Sequence, residues 1–98
     1  MIKKIEILNK LRISKSELLK FGVVRIGLFG SVKREETNQE SDVDILIDFN
    51  PEQETFENYM KACTFLESLL TDSKLDIVTK KGLSPFIGPY ILKEVEYA

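Results

Sequence analysis

Along the chain, apolar residues change their spacing several times, and each change marks an element. Ile2, Ile5, Leu8 and Leu11 recur at helical spacing among lysines and a glutamate, which predicts an amphipathic helix over residues 2–12. Ser14 or Ser16 can cap a second short helix through Leu18, Leu19 and Phe21, with Gly22 stopping it. "VVRIGLF", Val23 to Phe29, is rich in β-branched residues and bounded by glycines, so it predicts a strand. "VDILIDF" predicts another, with Val43, Ile45 and Ile47 on one face and Asp42, Asp44, Leu46 and Asp48 on the opposite face.

From Thr55 to Leu70 the period returns to helical. Phe56, Tyr59, Met60, Cys63, Leu66, Leu69 and Leu70 form one stripe, expected to cover the sheet. Leu75 to Thr79 is a third short strand. Ser84-Pro85 is expected to open a last helix that Gly88-Pro89 breaks or kinks before Tyr90 to Val95 continue it. The order ααβ-loop-βαβα predicts an α/β (α+β) fold, a small sheet with helices packed on it.

Composition narrows the chemistry. Residues 1–98 suffice for one domain, with 43% hydrophobic and 31% charged residues. A net charge of -2 gives no generally basic surface, so nucleic acid is not expected as a direct partner. The charged first helix breaks any signal-peptide core, and no apolar run approaches the roughly 20 residues that span a bilayer, so a cytoplasmic protein is expected. The single cysteine, Cys63, excludes an intramolecular disulfide, and its place in the helical stripe predicts a small core residue. Histidine is absent, which excludes His-based acid–base catalysis and His-ligated zinc. Any catalysis therefore has to run on carboxylates, hydroxyls, lysine or arginine, groups that suit a hard metal ion as their companion.

Three groups of residues could do so. Gly30-Ser31 follows a strand directly and could open a short helical turn through Arg34, placing backbone N–H groups, a hydroxyl and a guanidinium where phosphate oxygens could be held. Asp42 and Asp44 lie two apart at a strand start, so both carboxylates face one way and repel unless a cation sits between them. Oxygen ligands of this kind suit Mg²⁺ or Mn²⁺. Asp76, inside the third strand, completes a three-carboxylate set if that strand neighbours Asp44's, and could then take a proton from an incoming hydroxyl. Taken singly, each is also an ordinary turn or polar strand position.

Gly30-Ser31, ten intervening residues and then Asp42-Val43-Asp44 together resemble the motif of polymerase-β-like nucleotidyltransferases. More narrowly, the chain looks like the minimal nucleotidyltransferases that partner HEPN-domain proteins, a likeness that includes Arg34, "LDIVT" and the ending "LSPFIGPYILKEVEYA". The resemblance implies a single minimal nucleotidyltransferase domain over 1–98, built on a small mixed sheet. It implies metal binding by Asp42, Asp44 and Asp76, and nucleotide phosphates on Gly30 and Ser31. It further implies an antitoxin that uses Mg²⁺ and ATP to transfer AMP to a tyrosine of a HEPN-family ribonuclease toxin, in a hetero-oligomer with it. The alternatives are a non-catalytic module neutralising such a partner by contact, or nucleotidyl transfer to RNA or a small molecule. One departure stands out: the family often has glycine after the loop arginine, where this chain has Glu35.

Overall fold

Two helices open the chain, α1 (Lys4–Ile13) and α2 (Lys15–Lys20), in a computed structural model that describes residues 3–36 and 42–98. β1 (Val23–Phe29) runs straight into a four-residue helix, α3 (Gly30–Lys33). β2 (Val43–Phe49), a 3-10 turn (Pro51–Gln53), α4 (Phe56–Leu69) and β3 (Leu75–Thr79) follow, then α5 (Gly88–Glu94) and β4 (Glu96–Tyr97). The expected α1 start at Ile2 and most of the spacer from Glu35 to Ser41 lie outside the described residues.

The strands form one mixed sheet in the order β3-β2-β1-β4. β1 is antiparallel to both β2 and β4, and β2 is parallel to β3. A parallel pair needs a crossover, and α4 supplies it. Val43, Ile45 and Ile47 of β2 join Ile26 and Leu28 of β1 in the main core, under Leu66 of α4, Leu11 of α1 and Leu18 of α2. Emptying such a site, as in Leu66→Ala, typically costs about 2–5 kcal/mol. The opposite face carries a smaller cluster, Phe29 and Leu46 covered by Ile91 of α5, with Val78, Leu83, Val95 and Tyr97 around it.

Local chemistry explains the boundaries. Gly22 ends α2 at φ +85°, a conformation that L side chains seldom adopt, and its N–H donates to the Leu19 carbonyl. Thr55 caps α4 by accepting from the Asn58 N–H at 3.1 Å.

The structure corrects five expectations. In α1 the buried residues are Ile7, Leu8 and Leu11, while Ile5 is 57% exposed, because the helix packs through the Ile7 side of its turn. Of the α4 stripe, Cys63, Leu66 and Leu70 are buried and Tyr59 and Leu69 pack against the core, but Phe56 and Met60 face outward and Ala62 is buried in addition. Ser84-Pro85 opens no helix: the Ser84 hydroxyl accepts from the Phe86 N–H and its carbonyl from the Gly88 N–H, which makes a turn. The Gly88-Pro89 pair then begins α5 rather than breaking it, since proline lacks an N–H that the first helical turn would leave unpaired anyway. Finally, β4 had no counterpart in the predicted order. Among the described residues no helix is long and apolar enough to cross a membrane.

Candidate active site

The register of the parallel pair decides the geometry. Asp44 of β2 lies directly opposite Asp76 of β3, and on its other side Asp44 faces Phe29 of β1. Side chains two apart share a face, so Asp42, Asp44 and Asp76 stand on the face that carries Leu46 and Val78, beyond the edge of the α5 cluster. Asp42 and Asp44 are half-buried and Asp76 is exposed.

Asp44 is the perturbed group. Burial pushes its pKa up to about 6, and the charges of Asp76 and Asp42 and a hydrogen bond with Asp76 add to the rise; the Arg34 charge opposes it. Asp44 and Asp76 thus form a close pair, with Asp42 acting on it through charge. Among the described residues no group of three or more Asp, Glu, Cys or His side chains is arranged to hold a metal ion by itself, so the expected three-carboxylate set is not closed on one point. Acidic groups held together against their own repulsion nonetheless match the hard oxygen donors that a divalent cation takes.

Gly30 brings the other end of the loop to this pair. It is buried with φ +74°, and a Cβ there would lie 2.0 Å from Asp44 Oδ2. Only a residue without a side chain lets the α3 backbone rest against the carboxylate. Ser31 follows, half-buried, at the start of α3.

Arg34 caps α3 with its N–H on the Gly30 carbonyl, and its guanidinium is taken by two carboxylates: Glu94 at the end of α5, and Glu36 at 3.4 Å. Those bonds raise its pKa further, Glu94 first. No pattern in the sequence pointed to Glu94; an acidic residue closing a helix next to a loop arginine was the one available signal. Glu35 has φ 61°, a left-handed conformation that costs an ordinary L residue roughly 1–2 kcal/mol and glycine little. This accounts physically for glycine being favoured at that position, and the Glu35 side chain is exposed.

Other aromatic and basic residues sort themselves by burial. Phe65 packs on Phe21 with ring centroids 6.2 Å apart, and the Tyr59 hydroxyl donates to the Ile77 carbonyl at 3.3 Å. Phe56 and Tyr90 are exposed and lie outside the core. Lys80 leans towards Asp48 at 4.0 Å. Cys63 is a free, buried thiol whose pKa is raised by burial.

Residues 8–98 match the family model described as "Nucleotidyltransferase domain". The chain belongs to that family. This nucleotidyltransferase is 41% identical over 93 residues to the protein adenylyltransferase MntA of Thermococcus cleftensis, covering 94% of this chain and 92% of the relative. It is 38% identical over 78 residues to a candidate protein adenylyltransferase of Methanocaldococcus jannaschii, covering 79% and 74%. Among solved structures it superposes on a candidate minimal nucleotidyltransferase with a TM-score of 0.82 at 30% identity, covering 97% of this chain and 95% of the other. It shares its fold with a toxin–antitoxin structure containing AMP-PNP, at a TM-score of 0.66 and 21% identity, covering 98% of this chain and 72% of the other.

Proposed function

We propose that this nucleotidyltransferase is an antitoxin that transfers AMP from ATP to a tyrosine hydroxyl of a HEPN-family ribonuclease toxin in the cytoplasm. Asp42, Asp44 and Asp76 would hold Mg²⁺ (or Mn²⁺), and Gly30, Ser31 and Arg34 the nucleotide's phosphates. The observation that carries this reading is the Asp44–Asp76 register pair with the Gly30 backbone against it. It puts the proposed phosphate and metal ends of the site in contact. When bound, the cation would neutralise charge on the triphosphate and on the departing pyrophosphate.

The chain's own residues do the rest. Gly30 and Ser31 present N–H groups and a hydroxyl to phosphate oxygens, and Arg34 adds a planar cationic donor. Asp76, the exposed member of the pair, is open to an incoming acceptor. It accepts the hydroxyl proton as the tyrosine oxygen bonds to the α-phosphorus and the bond to pyrophosphate breaks. The relatives named as protein adenylyltransferases support protein as the acceptor class.

The test is incubation of protein, ATP, Mg²⁺ and partner, followed by intact-mass measurement. An AMP-sized gain on the partner is expected with wild type and none with Asp42→Ala or Asp44→Ala. Equal gain with those variants, or no gain with wild type, overturns the reading.

A further inference from the structure

The geometry points to Glu94 as a positioning residue that holds the Arg34 guanidinium ready for the nucleotide's phosphates. The inference rests on the reading of Arg34 as a phosphate ligand and adds a residue that the motif does not contain.

Arg34 sits at the end of a four-residue helix, with its side chain 46% exposed. An arginine so placed has many rotamers, and freezing one on binding costs affinity. Glu94 removes that freedom beforehand. It closes α5, which Ile91 seats on Phe29 and Leu46, and the Val95 N–H on the Ile91 carbonyl fixes the chain just beyond it. Its own side chain is only 23% exposed, so it is an anchored partner. Glu36, by contrast, is 64% exposed and its contact is longer, at 3.4 Å.

The bonding leaves donors to spare. Among the described residues Glu94 accepts from Nη1 and Glu36 from Nε, which leaves three of the five guanidinium N–H groups for phosphate oxygens. A guanidinium steered by a carboxylate behind it is oriented without being used up. The Arg34 charge also acts on Asp44, holding its pKa down, so the held guanidinium lies within electrostatic range of the carboxylates.

Calorimetric titration of Mg-ATP into the isolated protein tests the inference without a partner. Glu94→Ala is expected to weaken Mg-ATP binding roughly 3- to 10-fold, the cost of re-ordering one long side chain. Glu94→Gln, which keeps an acceptor oxygen, should recover part of the loss, and Glu94→Ala should add nothing in an Arg34→Ala background. Thermal melts of each variant separate loss of fold from loss of binding. Unchanged or tighter binding by a folded Glu94→Ala, while Arg34→Ala weakens it, overturns the positioning role alone. Unchanged binding by Arg34→Ala removes the phosphate reading of Arg34 and this inference with it.

Discussion

At Gly30 a single missing atom connects the loop to the carboxylates. Alanine there would suffer twice: its φ of +74° is unfavourable, and its Cβ would strike Asp44. Gly30→Ala is therefore expected to lower stability by about 1–3 kcal/mol in a denaturant melt. It should also abolish any rise in melting temperature that Mg²⁺ would give the wild type under the proposed function, because Asp44 has to turn away. A variant that melts early yet keeps the full Mg²⁺ response would show that Asp44 does not depend on Gly30. Residue types at this scale were legible in the sequence: the glycine, the serine and three aspartates were all named as chemistry-bearing. The φ of +61° at Glu35 was not legible, since a left-handed glutamate leaves no mark in composition or periodicity.

Between elements, the parallel pairing of β2 and β3 holds Asp44 beside Asp76, and their repulsion works against the fold. The folded-state pKa of Asp44, about 6, lies above its ordinary 3.8. Its contribution is then fully present below the unfolded value and is lost as pH rises through the folded one. Metal-free wild type should accordingly lose melting temperature between about pH 4 and pH 6–7 relative to Asp44→Asn, whose amide does not titrate. The effect is modest because Asp44 is half open to screening solvent. Mg²⁺ should restore stability at pH 7.5 and do little at pH 5, where the proton competes for the same oxygen. Parallel melting curves of the two proteins would be flat against each other if Asp44 titrated normally. The pairing itself was legible only as a condition, "if that strand neighbours Asp44's", because strand order depends on the α4 crossover and not on either strand's own residues.

Over the whole molecule, the sequence pattern placed three of the four described strands and the long helix. What it lacked was the C-terminal closure. β4 is two residues long, too short for alternation to register, and it forms because Glu96 and Tyr97 lie opposite Leu28 and Gly27. The Lys4–Glu96 ion pair at 3.1 Å and the Ala98 N–H on the Ile26 carbonyl complete that closure. Proline and glycine near the end were equally ambiguous. Gly88-Pro89 can break a helix or begin one, and the Ser84 turn before it decides which.

The position of β3 has a consequence for anyone handling site variants. Among the described residues β3 pairs only with β2, so its outer backbone groups lie along an edge. Such an edge invites a strand from a neighbouring molecule, and a charge on it is a common deterrent. Asp76 is the charged residue of β3, flanked by Leu75 and Ile77. Replacing it with alanine would leave "LAIVT", an uncharged β-prone segment, and such a protein should self-associate at concentrations where wild type stays monomeric in sedimentation. Any loss of activity in an Asp76 variant would then have two sources, and Asp76→Glu, which keeps the charge on the edge while displacing the carboxylate, would begin to separate chemistry from solubility.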